Sequence, residues 1–151
     1  MPGEVRFYHL QRARLEEALP QLLERTLAKG WRAVVKAGSD ERVEQLNTHL
    51  WTYTESSFLP HGSSRDGDGA RQPIWLTAAD ENPNSASVLM LVDGAQPPPA
   101  HTFELTCVIF DGNDPSALET SRAMWKSLST SGLQLTYWKQ TESGWSQQNA
   151  S

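Results

Sequence analysis

The sequence predicts an α/β fold, a three-layer α/β/α sandwich around a mostly parallel central sheet. Three observations carry that prediction. Up to Leu50 the periodicities alternate β-α-β-α, the pattern of strands joined by crossover helices. Residues 87–92 (SVLMLV) and 104–110 (ELTCVIF) are continuously apolar, as strands covered on both faces are. A helix signal follows at Asp114-Pro115, and then one more alternating strand.

The elements follow in order. Residues 5–10 are apolar and aromatic and read as the first strand. Leu15, Leu19, Leu22, Leu23 and Leu27 recur at helical spacing on one face. Pro20 is tolerable only in a first turn, so this helix is expected to begin nearer Glu17 than Arg14. Lys29-Gly30 stops it. Residues 32–37 (RAVVKA) form a short strand. Ser39 is the expected N-cap of the next helix, with Asp40 and Glu41 in its first turn, where the helix dipole favours negative charge. Val43, Leu46 and Leu50 mark its buried stripe.

The connection that follows, residues 50–62 (LWTYTESSFLPHG), is unusual. It carries Trp51, Phe58, Leu59 and Pro60. Apolar residues in a connection either close the domain's own core or meet a partner, and spacing leaves both open. Residues 62–71 read as a polar loop, 72–76 (QPIWL) as a strand and 79–87 as another polar loop. Asp93-Gly94 turns the chain and Pro97 to Pro99 stiffens the next loop. Asp114 as N-cap and Pro115 at the first helical position open a helix running to about Ser131. Leu133, Leu135 and Tyr137 then alternate with Gln134, Thr136 and Trp138 in a last strand. Residues 1–145 read as one domain and 146–151 as a frayed polar tail.

Composition narrows the function classes. The chain has 151 residues, a formal net charge of −5 and a pI of about 5.3. Such a surface disfavours direct nucleic-acid binding unless basic residues gather in one patch. The single cysteine, Cys107, rules out an internal disulfide framework and suits a reducing compartment. No run approaches ~18 apolar residues and the N-terminus lacks a signal-peptide layout. The expectation is a cytoplasmic protein without a membrane span.

Catalytic signatures are sparse. No phosphate-binding G-x-x-x-x-G-K-[ST] occurs, and Gly67-Asp68-Gly69 precedes a strand, where a dinucleotide fingerprint must follow one. His9, His49, His61 and His101 are scattered, none at metal-ligand spacing from another. His61 with Asp66 and Asp68 reads as solvated loop before it reads as a ligand set. Cys107, inside an apolar run, reads as a buried, inert thiol. Asp111 follows a strand end, where α/β enzymes place catalytic acids, but FDGND reads more simply as a turn leading to the Asp114 cap. No cofactor or metal is expected.

The last helix is more informative. Ala117, Leu118, Ser121, Met124, Trp125 and Leu128 form one stripe at helical spacing. Arg122 and Lys126, four apart, are neighbours on its flank, with Trp125 at the rim. Two bases beside an aromatic wall suit an acidic peptide ending in an apolar residue. Spacing alone favours the plainer reading, a core tryptophan with two solvated bases.

These segments resemble the chi subunit of bacterial DNA polymerase III. The similarity runs through FYHL at Phe7, LLERTLAKGWRAVV from Leu22, LWT at Leu50, SFLPHG from Ser57 and QPIWL from Gln72. It continues through FDG at Phe110, the R-x-x-W-K of Arg122, Trp125 and Lys126, and G-L-x-L-x-Y-W-K from Gly132. The resemblance implies a nucleotide-binding-like topology without a phosphate loop. It implies a non-catalytic replication subunit that links the clamp loader, through a psi subunit where present, to the acidic, phenylalanine-terminated tail of single-stranded-DNA-binding protein. Arg122, Trp125 and Lys126 match the tail-binding positions. Some members carry a further base one turn earlier, where this chain has Leu118 and Glu119, so a smaller patch and weaker tail affinity are expected. Trp51, Phe58, Leu59 and Pro60 are the candidate psi-facing residues. The alternatives are a nucleotide-acting α/β enzyme, a diverged protein-binding paralogue, and direct single-stranded DNA binding, which the acidic balance opposes.

Overall fold

The computed structural model describes residues 4–11, 15–52, 61–63, 72–97, 103–130, 133–141 and 144–148. The elements are β1 (Glu4–Leu10), α1 (Leu15–Ala28), β2 (Ala33–Lys36), α2 (Asp40–Thr52), β3 (His61–Ser63), β4 (Ile74–Thr77), β5 (Val88–Leu91), β6 (Leu105–Asp111), α3 (Pro115–Leu128), β7 (Gln134–Thr141) and β8 (Gly144–Gln148). The strands form one sheet in the order β3-β4-β2-β5-β6-β1-β7-β8. Every neighbouring pair is parallel except β7 and β8. The three-layer, mostly parallel fold predicted above is the one observed.

The apolar runs explain the layers. Along β5, Val88 and Met90 pack toward α1 and α2, while Leu89 and Leu91 pack toward α3. A strand buried on both faces must be apolar at every position. The first layer holds Leu19 and Leu23 of α1 and Leu46 and Leu50 of α2. The second holds Met124 and Leu128 of α3, with Phe7, Val108 and Phe110 beneath them. Cys107 is buried, and burial pushes its thiol up to about 12, the inert state its apolar run predicts. Among the described residues no helix is long and apolar enough to cross a membrane.

Three local expectations need correction. The first helix begins at Leu15, so Pro20 lies in its second turn. A proline there cannot donate to the carbonyl four residues back, Glu16. His49 of α2 supplies the missing donor: its Nε2 donates to the Glu16 carbonyl oxygen at 2.6 Å. The tertiary bond offsets the local violation. Residues 61–63, read as the edge of a polar loop, are strand β3, parallel to β4. Residues 146–148, read as a frayed tail, are the second half of β8, antiparallel to β7.

The predicted caps hold. The Ser39 hydroxyl accepts from the Arg42 amide at 3.2 Å. Asp114, in extended conformation, accepts from the Ser116 amide at 3.0 Å with Pro115 just inside the helix. Asp93 and Gly94 turn the chain with φ of 54° and 76°, torsions that favour glycine and are tolerated by aspartate.

Candidate partner-binding surface

A doubly wound sheet offers a ligand site where neighbouring strands send their connections to opposite faces. Here β1 leads to α1 on one face and β6 leads to α3 on the other. A crevice of about 620 Å³ opens at their C-terminal ends, lined in part by Glu16, Arg42, Asp93, Asp111 and Asp114. Its chemistry is wrong for phosphate. Four carboxylates face it, and Arg42 is held by Asp93 at 2.5 Å and Glu16 at 3.2 Å. The amide of Ser116, at the N-terminus of α3, is taken by the Asp114 carboxylate. Asp111 accepts from the Asn113 amide at 2.9 Å, the turn role predicted for it. This crevice therefore does not coincide with the residues singled out by sequence.

Those residues lie on α3, on the flank toward β7. Arg122 and Lys126 are exposed and Trp125 is half-buried. The Trp125 ring meets Phe7 edge-on, with centroids 5.0 Å apart, and Tyr137 edge-on at 6.1 Å. Phe7 and Tyr137 are register partners on β1 and β7. Trp125 is thus neither a sealed core residue nor a free surface ring. It is one wall of an aromatic cluster that three elements build. Arg122 and Lys126 have no carboxylate partner among the described residues. One turn earlier, Leu118 is half-buried, and Glu119 beside it is exposed.

The cluster has a polar floor. Tyr137 Oη and His9 Nδ1 share a hydrogen bond of 2.5 Å, and the His9 ring lies 5.2 Å from Phe110. Burial lowers the His9 pKa below its usual 6.5, and the charges of Lys139 and Arg122 lower it further, against the pull of Asp111. Burial raises the Tyr137 pKa, with Arg122 opposing. Both groups are therefore neutral near pH 7. Gly112 makes room for the imidazole: a Cβ there would stand 1.8 Å from His9 Nε2. FYHL and FDG, two of the resembling segments, meet at this contact.

His9, Tyr137 and Lys139 join the site without having been picked from the sequence. In the sequence Tyr137 is one residue of an alternating strand and His9 one of four scattered histidines. Their partnership spans 128 positions, so no local periodicity shows it. Of the second candidate surface, Trp51 falls within α2 but its side chain lies outside the described residues, as do Phe58, Leu59 and Pro60 entirely.

Comparison with known proteins bears on most of the chain. The family model described as "DNA polymerase III chi subunit, HolC" matches residues 2–136. A curated protein of Rickettsia prowazekii (strain Madrid E), named "Probable DNA polymerase III subunit chi", is 36% identical over 85 residues, 56% of this chain and 52% of that protein. The chain thus spans about half the length of that curated relative. Among solved structures, the C-terminal domain of the DEAD-box protein Dbp5 superposes with a TM-score of 0.54 at 11% identity, over 90% of this chain and 91% of that one. At that identity the likeness concerns the fold alone.

Proposed function

Because the chain belongs to the DNA polymerase III chi-subunit family, we propose that it serves as a non-catalytic accessory subunit of that holoenzyme. In this reading it works in the cytoplasm during DNA replication and tethers the clamp-loader complex to single-stranded-DNA-binding protein. Its contact with DNA is indirect and runs through that partner. The observation that carries the reading is the α3 surface. Trp125 leans on Phe7 and Tyr137, and Arg122 and Lys126 stand exposed beside it. An acidic tail ending in phenylalanine matches this surface in charge and in apolar anchor.

Titration with a synthetic acidic peptide ending in Pro-Phe tests the proposal. Binding is expected at about micromolar Kd, about −8 kcal/mol. It should weaken with salt, as contacts between exposed charges do. Arg122→Ala and Lys126→Ala should each weaken it strongly. A wild-type protein that is folded yet ignores the peptide would refute the reading.

The second partner in this proposal is a psi subunit or an equivalent clamp-loader component, met by Trp51, Phe58, Leu59 and Pro60. The support is their apolar character: Trp51 stands at the end of α2, not in the connection as the sequence suggested, and the other three follow in the sequence between α2 and β3. Phe58→Asp is expected to abolish co-purification with the clamp loader while leaving the tail peptide bound. Unchanged assembly in a folded variant would remove these residues from the interface.

A further inference from the structure

Four cationic side chains of the described residues are half-buried: Arg6, Lys36, Arg42 and Lys139. Three have carboxylate partners. Arg6 meets Glu4 at 2.8 Å, Lys36 meets Asp80 at 2.6 Å, and Arg42 meets Asp93 and Glu16. Lys139 has none. A partly desolvated ammonium without a counter-ion is costly, and in a chain of net charge −5 acids are plentiful. The unpartnered position is therefore informative.

Its place is equally specific. Lys139 stands beside His9 in the β1–β7 register and two residues beyond Tyr137, on the same face of the sheet. Arg122 approaches from the helix, one turn before Trp125. The two cations act on one spot from different elements: both hold His9 toward its neutral form. No base is available one turn before Arg122, where Leu118 and Glu119 stand.

Resting on the tail-binding reading above, we infer that Lys139 is a third recognition residue of this surface. With Arg122 it clamps the free α-carboxylate of an acidic peptide whose terminal aromatic side chain packs on Trp125 and Tyr137. The stereochemistry of a terminal residue supports the division of labour. Its carboxylate and its side chain leave the same Cα, so a ring seated on Trp125 and Tyr137 keeps the carboxylate near Arg122 and Lys139. Lys126 is turned about 100° around the helix from Trp125. It faces the acidic side chains further upstream in the peptide. A base contributed by the strand thus takes the place of one on the helix.

The test compares the acidic Pro-Phe peptide with a free C-terminus and the same peptide amidated, by fluorescence anisotropy on the full chain. Amidation should weaken wild-type binding about tenfold, the scale of a lost charge-assisted contact. Lys139→Gln should weaken the free-acid peptide about fivefold and make amidation cost little more, since the two changes remove one interaction. Lys139→Arg should restore most of the affinity. Lys126→Gln should weaken both peptides alike. Circular dichroism on each variant establishes that it is folded. If Lys139→Gln binds as wild type does, or keeps the full amidation penalty, the clamp is wrong while the tail-binding reading stands. If wild-type protein binds neither peptide, that reading fails and the clamp fails with it.

Discussion

Arg25 in the last turn of α1 and Lys29 just past its end are, by spacing, the same device as Arg122 and Lys126 on α3. Each is an arginine and a lysine four apart, near the end of an amphipathic helix, with a tryptophan close by. Their surroundings differ. The Lys29 ammonium lies 5.2 Å from the centroid of the Trp31 ring, so its charge already has an aromatic partner. The cleft beside it, about 370 Å³, includes Arg6, which is tied to Glu4 and lies 5.8 Å from the Trp138 ring. Both bases also sit where cations complement the C-terminal end of α1. On α3 the tryptophan is occupied by aromatic edges, and the neighbouring cations are left to solvent or ligand. Sequence spacing places a charge on a surface. Only the tertiary partners decide whether the fold has already used it.

The largest expected effect separates the two sites by stability as well as binding. Gly112→Ala would drive a methyl into the His9 imidazole. Overpacking of this kind costs about 2–3 kcal/mol. In a chain of this size that lowers the melting temperature by about 5–10 °C. Peptide affinity should fall as well, because His9 carries Tyr137. An unchanged thermal midpoint would mean that the imidazole is not fixed there, and the contrast between the sites would lose its α3 half.

A sharper comparison comes from paired substitutions. Arg122→Ala with Lys126→Ala is expected to reduce peptide affinity by at least about tenfold. Arg25→Ala with Lys29→Ala should leave it within about twofold, since distant exposed charges are screened. Equal losses in the two pairs would show that net positive charge, not the aromatic cluster, governs capture.

The smallest effect is a pH dependence. The folded state lowers the His9 pKa below its usual 6.5, so the unfolded chain takes up the proton first. Stability contributed by neutral His9 is complete above about pH 6.5. It declines as pH falls below that value and levels off beneath the folded pKa. Urea denaturation across pH 5 to 8, compared with His9→Gln, should show this slope only in the wild type. An identical slope in both would place the titrating group elsewhere.

Much of the fold was legible because burial on both faces leaves a continuous apolar trace, as in β5 and β6, and because Asp114-Pro115 and Ser39 are strong local caps. β3 and β8 were not legible. HGS is three residues without an apolar pattern, and GWSQQ is mostly polar, so only pairing with a neighbour makes either a strand. The α3 bases and Trp125 were legible as helical neighbours. Tyr137 and His9 were not, since what unites them is register across the sheet. Lys139 was hidden for another reason: it became notable only once the other half-buried cations proved to have partners.

The bond from His49 to the Glu16 carbonyl bears on how the molecule opens. Pro20 leaves the start of α1 unable to close its own ladder, and α2 completes it. Fraying of the first turn of α1 therefore requires α2 to let go near its end, and loosening of α2 uncovers α1. The two helices should behave as one cooperative unit in amide hydrogen exchange, releasing their protons at a common free energy. Among the described residues α3, across the sheet, has no such tie to either. One face of the sheet can then breathe while the surface carrying Trp125 stays assembled.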